Sequence, residues 1–307
     1  VKYNMAVYVV GDFLRETRLR KGYTQEEVSY GICTTASLSR IENGAQKPGR
    51  LILEKLFERL GTENNLFNSF VSREEMELYS AIQELIRNVT DAEIDKIHKQ
   101  ILIVEKLTEN TSDLERQCLL FAKGELIKRK EKDYSTAIEW LMKAIHITLP
   151  DFDGENPLRN NLLTFDEIMI INGIAILHAK SGNVMTAIQL DMWLKEYMED
   201  KIVDGTMKKA KYPMIIYNLS NWFGNKQCHT EALKLADEGI NFCVKYGNLV
   251  ILPSLILNKG VALAELGDID DARKYLHQAI TIFDVMKKEE TIQSVLDWCK
   301  TRYNLEI

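Results

Sequence analysis

Between Thr34 and Asn43, Leu38 and Ile41 fall on one side at helical spacing, and Thr35, Ala36, Ser39 and Arg40 fall on the other. Those four are available to base edges. A guanidinium such as that of Arg40 spans O6 and N7 of guanine or else grips a phosphate, whereas Thr35 and Ser39 are short and read with less discrimination. Gln25, Thr34, Ser37 and the Lys47 to Arg50 segment are placed for the sugar-phosphate backbone.

Positioning such a face takes two short helices and a tight turn. Thr24 is followed three residues later by Glu27, the spacing of a capping box, so a helix starts there and ends at Gly31. Thr34 caps the next helix, and Gly44 suits the left-handed position after Asn43. Ahead of them, from Gly11, Phe13, Leu14 and Leu19 share a side while Arg15, Arg18, Arg20 and Lys21 cover much of the rest, and Gly22 stops the pattern. A further helix follows Pro48, from about Leu51 to Leu60, and Gly61 ends it. The result is a small helix-turn-helix domain able to place its third helix in the DNA major groove. An ordinary helical hairpin is the competing account, disfavoured because capping box, turn, Arg and terminal Gly occur together.

Charge follows the same division. Residues 1–61 carry ten Lys and Arg against seven Asp and Glu, a balance of +3, leaving 29 against 38, a balance of −9, for residues 62–307. An excess of three is modest, so DNA affinity depends on paired modules and local placement more than on bulk field. The apolar fraction of 46% and only five prolines in 307 residues exclude a disordered or collagen-like chain. The five cysteines are widely spaced with no C-x-x-C, which fits reduced thiols in a cytosol. The apolar run around Ile168 to Leu177 is half the roughly 20 residues a membrane span needs, and Met5 to Val10 lacks the flanks of a signal peptide. A cytoplasmic protein without membrane contact is expected.

From about Ser112 the chain repeats itself. The clearest unit runs from Leu257 to Ala279, with Gly260, Leu263, Gly267, Ala272, Leu276 and Ala279 at the small and apolar positions of a tetratricopeptide helix pair. Looser copies place Ala137, Ala187 and Ala232 at the position of Ala272, at spacings longer than the usual period of about 34. Small residues let the two helices of a pair cross closely, while stacking of pairs buries the larger side chains. The first helices then line a concave groove suited to an extended peptide or a partner helix.

The fold expected is therefore all-α: a five-helix helix-turn-helix domain over residues 1–66, a helical connector and first layer over 67–110, and an α-solenoid of irregular tetratricopeptide-like pairs over 111–307. His98, His146, His178, His229 and His277 show no metal-ligand spacing, and the acidic turn Asp151 to Glu155 lacks the later ligands of a calcium loop. Trp140, Trp193, Trp222 and Trp298 suit packing better than cofactor contact. No phosphate-binding loop, nucleophile elbow or triad is present. No metal, cofactor or enzymatic activity is expected.

Residues 11–61, and above all Leu38-Ser-Arg-Ile-Glu-Asn-Gly44, resemble the DNA-binding domain of the Cro and cI repressor superfamily. That resemblance implies a buried ion pair between Arg18 and Glu42, which removes Arg18 from the DNA contacts. With the irregular repeats behind it, the whole chain resembles the peptide-pheromone receptor family that includes PlcR, NprR, PrgX and Rgg. The resemblance implies a dimeric bacterial transcription factor whose repeat domain binds a short imported signalling peptide and so changes the placement of its heads on double-stranded DNA. In that family asparagines on the concave helices hold the peptide backbone, which here implies Asn172, Asn218 and Asn258, with Tyr217, Asn221 and Trp222 beside them. The alternative is an adaptor that sequesters a partner protein through its repeats, with the head in a minor role.

Overall fold

The computed structural model describes residues 2–62, 73–89, 93–107, 112–158, 161–201 and 205–303. The boundaries expected at residues 66 and 110 lie outside the described residues. Among those described there are fifteen α-helices and no strand. By contact the chain forms two compact units, Val1–Trp193 with Glu199–Gly205, and Leu194–Met198 with Thr206–Ile307.

The first unit opens with α1 (Lys2–Arg20), α2 (Gln25–Ser29), α3 (Thr35–Glu42) and α4 (Arg50–Arg59). Gly11 does not begin α1 but lies within it, where the backbone passes the Ile41 carbonyl so closely that any Cβ would collide. Leu14, Val28, Leu38, Ile41, Leu53, Leu56, Phe57 and Leu60 form the core of this head, and Leu114 and Leu162 complete it from later in the chain. Each such leucine contributes roughly 1.5–3 kcal/mol on leaving water, so the head is not apolar-sealed by itself.

The next helices of this unit are α5 (Arg73–Asn88), α6 (Ile94–Leu107), α7 (Asp113–Lys130), α8 (Tyr134–Ile145), α9 (Phe165–Lys180) and most of α10 (Val184–Asp200). Ile82, Leu85, Ile97, Ile101 and Val104 are the buried stripe of α5 and α6. A polar seam joins α4 to the start of α9. Arg59 meets Glu167 at 2.8 Å with both side chains fully buried, and Arg59 also donates to the carbonyls of Val28 and Tyr30. Lys55 lies 2.9 Å from Asp166, 3.0 Å from Glu58 and 3.8 Å from Glu54. The Phe165 N–H donates to Glu58 at 2.9 Å, and the Tyr30 hydroxyl donates to Asp151 at 2.8 Å. Gly31, at φ +67°, abuts the Thr148 backbone, a conformation and a clearance that only glycine satisfies.

One lysine facing three carboxylates leaves the cluster short of positive charge. Burial opposes the Lys55 charge, but Asp166, Glu58 and Glu54 outweigh it and hold the ammonium well above its usual range. Burial, against the pull of Lys55 and with the push of Asp166 and Glu54, raises the Glu58 carboxyl to about 7.

The second unit contains α11 (Gly205–Asn225), α12 (His229–Tyr246), α13 (Leu252–Glu265), α14 (Ile269–Val285) and α15 (Glu289–Tyr303). The alanines at the repeat positions, Ala137 in α8, Ala187 in α10, Ala232 in α12 and Ala272 in α14, are each at most 2% exposed. Gly260 shows why small residues are needed, since a Cβ there would sit 2.8 Å from Leu276 Cγ. Helix α15 packs on α14, where Val295 and Cys299 join Leu276 in a small core.

Removing one member of the sealed pair leaves the other charge buried, so Arg59→Met is expected to lower stability by roughly 3–5 kcal/mol, and Arg59→Met with Glu167→Leu to recover most of that. Urea midpoints of the three proteins test this. Glu58 titrates near 4.5 in an unfolded chain and about 7 in the folded one. Its stabilisation is therefore complete below pH 4.5 and is lost as the pH rises through 7. The melting temperature should fall between pH 5 and 8 in the wild type, and the fall should be shallower in Glu58→Gln.

Candidate nucleic-acid interface and ligand groove

Both helices of the turn are capped by their own sequence. The Thr24 hydroxyl accepts from the Glu27 N–H while the Thr24 N–H donates to Glu27 Oε2, and these hydrogen bonds hold the Glu27 carboxyl below its ordinary range. Thr34 accepts from the Ser37 N–H and donates its hydroxyl proton to Ser37 Oγ. Helix α3 ends at Asn43, followed by Gly44 at φ +69°.

Under α3 lies a closed ionic contact. Arg18 donates through Nε to Glu42 Oε1 at 2.7 Å and through Nη2 to Oε2 at 2.9 Å, with its third edge on the Tyr23 carbonyl. The hydrogen bonds that Arg18 donates to Glu42, against the cost of burial, raise the pKa of Arg18. Gln25 donates to the same carboxylate at 2.7 Å, so this side chain helps hold α3 in place.

With Leu38, Ile41 and Glu42 turned inward, Thr35, Ala36 and Arg40 are exposed and Ser39 is half-buried. Arg40 is braced rather than loose. Its Nε donates to Gln46 Oε1 at 3.0 Å and its Nη2 to Ser37 Oγ at 3.3 Å. Gln46 is absent from the residues the sequence singles out, because it lies past the Gly44 turn where helical periodicity carries no information. Lys47 is exposed. Arg50 is instead engaged with α5, stacking 4.0 Å from the Tyr79 ring centre and donating to Met76 Sδ at 3.1 Å.

The second unit contains a groove of about 920 Å³ between α11, the start of α12, α13 and α15. Tyr217, Asn221 and Asn258 line it. Asn258 donates to the Tyr217 carbonyl at 3.4 Å, and burial raises the Tyr217 hydroxyl above its usual pKa. Asn218 and Trp222 are buried at 8% and 7% exposure and do not line the groove. Asn172 belongs to the first unit, where its buried amide donates to both oxygens of Asp191 at 3.1 and 3.0 Å. The wall from α15, with Ser294, Val295, Trp298 and Arg302, has no counterpart in the sequence reading. Spacings of three and four along this helix were the available signal, but nothing in them says which face meets α13.

Among the described residues, no helix is long and apolar enough to cross a membrane, and no group of three or more His, Cys, Asp or Glu is placed to hold a metal ion.

Residues 9–70 match a helix-turn-helix domain model, and residues 156–304 match the RNPP family C-terminal domain. Over 63 residues the chain is 38% identical to the uncharacterised HTH-type transcriptional regulator YqaF of Bacillus subtilis (strain 168), covering 20% of this chain and 83% of that one. Among solved structures, Bacillus thuringiensis PlcR in complex with the peptide PapR7 and DNA superposes with a TM-score of 0.63 at 18% identity, covering 94% of this chain and 98% of that one. The apo form of PlcR gives a TM-score of 0.60 at 17% identity over the same shares. At these identities the likeness is one of fold.

Two arginines of the head separate structure from surface. Arg18→Met should cost roughly 3–5 kcal/mol because it strands the Glu42 carboxylate, whereas Arg40→Ala should stay within about 0.5 kcal/mol of wild type. Chemical denaturation of both variants checks the contrast.

Proposed function

The chain belongs to the RNPP family, a helix-turn-helix domain joined to an RNPP C-terminal domain, and from that membership we propose a specific regulator. It is a cytoplasmic, sequence-specific DNA-binding transcriptional regulator controlled by a short signalling peptide bound in the groove of its repeat domain. Its partners are double-stranded DNA, that peptide and a second copy of itself. Both matched families are of regulators, not enzymes.

The observation that carries the reading is the state of α3, buried along Leu38, Ile41 and Glu42 yet open along Thr35, Ala36 and Arg40. An adaptor with a vestigial head has no use for a braced, exposed arginine on a doubly capped helix. The groove supports the receptor half. Its amides from Asn221 and Asn258 each offer donor and acceptor to a peptide group without demanding a particular side chain. The similar fold of PlcR, solved with a peptide and DNA together, agrees with that assignment.

Two identical heads meet two half-sites about one helical turn apart, so a ligand that alters head spacing alters affinity. A tenfold change in DNA affinity needs about 1.4 kcal/mol of differential binding to the two arrangements.

Footprinting of the purified full-length protein should show a protected site that Arg40→Ala loses, a deficit of roughly 1–3 kcal/mol at the base it reads. The affinity for that site should change at least about tenfold with a synthetic peptide encoded in a neighbouring small reading frame. Absence of any footprint in wild type argues for the adaptor, and indifference to every such peptide removes the receptor half.

A further inference from the structure

We propose that Arg302, on α15, is the seat for a carboxylate of the bound peptide and fixes the direction in which the peptide lies in the groove. This rests on the peptide-receptor reading above.

Among the described residues lining the groove, Arg302 is the one Lys or Arg and Glu265 the one acid. Their pairing is lopsided. Arg302 uses its Nε edge, which lies 2.8 Å from Glu265 Oε1 and donates to the Tyr303 hydroxyl at 3.3 Å. Its Cζ lies 5.9 Å from the Tyr303 ring centre, its Nη1 and Nη2 have no hydrogen-bond partner among the described residues, and the side chain is 57% exposed. Glu265, by contrast, is fully committed. Its Oε1 also accepts the Tyr303 hydroxyl proton, and its Oε2 lies 3.9 Å from His229 Nε2. The hydrogen bond from Tyr303, against burial and together with Arg302, holds the Glu265 carboxyl below its usual range. Glu265 thus acts as a positioning residue that anchors one edge of the guanidinium and leaves the other edge open.

That open edge is a planar fork matched to a carboxylate, which it binds through two parallel N–H···O bonds. Its surroundings suit the last residue of a peptide. Trp298 lies one turn before Arg302 on α15, and Leu257 and Val261 face the groove from α13, giving apolar walls beside the charge. The same end is formed by the first turn of α12, which begins at His229 and has no side-chain cap from Cys228. The positive end of that helix adds to the preference for an anion. Asn221 and Asn258, which line the same groove, offer amides to the peptide backbone.

The carboxylate has two possible sources, the peptide's C-terminus or an Asp or Glu side chain. Two random heptapeptide libraries, one with free carboxyl termini and one with C-terminal amides, are incubated with the full-length protein, and retained peptides are identified by mass spectrometry. A terminal source predicts about tenfold more retention from the free-acid library. A side-chain source predicts Asp or Glu enriched at one position in both libraries. Either preference should disappear in Arg302→Gln and largely persist in Arg302→Lys. Retention by wild type with no carboxylate preference, or a preference unchanged in Arg302→Gln, overturns this assignment and leaves the peptide-receptor reading standing. No retention from either library overturns both. The acid-to-amide comparison in wild type needs no variant, so a folding defect cannot mimic the result.

Discussion

The ion pair of Arg59 with Glu167, dry on both sides, is the contact on which the arrangement of the first unit depends. A buried pair of this kind contributes little net stability over a well-packed apolar pair, because desolvation offsets most of the attraction. What it does supply is register, since any displacement of α4 along α9 strands two charges away from water. The Lys55 cluster repeats the device one turn earlier on α4, and Leu114 and Leu162 complete the apolar core of the head. The head is thereby committed through α4 and the α2–α3 turn, and the outward edge of α3 stays free.

Much of the head was legible because its determinants are local. Thr24 with Glu27, and Thr34 ahead of Ser37, specify helix starts within four residues, and Leu38 and Ile41 define the inward side by spacing alone. The repeat alanines were equally readable, because close crossing of two helices tolerates nothing larger at Ala137, Ala187, Ala232 and Ala272. The partners of long polar side chains were not. Arg59 and Glu167 are 108 residues apart in the chain, and no periodicity couples them. The same blindness explains Gln25, which holds Glu42, and Arg50, which stacks on Tyr79. Asn172 shows it most clearly, being spent on Asp191, since a polar amide at a repeat position looks identical whether it faces a groove or a carboxylate.

The groove of the second unit was half visible. Tyr217, Asn221 and Asn258 sit on first helices of repeat pairs, where pattern reasoning places a concave wall. The opposing wall comes from α15, where no small-residue repeat position was there to reveal it. Helix α15 buries Val295 and Cys299 against Leu276, and it also brings Trp298 and Arg302 to the cavity. Core contacts and groove wall are therefore supplied by the same fifteen residues of α15.

The most direct measurement is selection of genomic DNA fragments by the full-length protein, followed by sequencing of those retained. The retained fragments should share a motif of two inverted half-sites whose centres lie about 10–10.5 base pairs apart or a multiple of that. Retention no better than that of random DNA of the same length would contradict it.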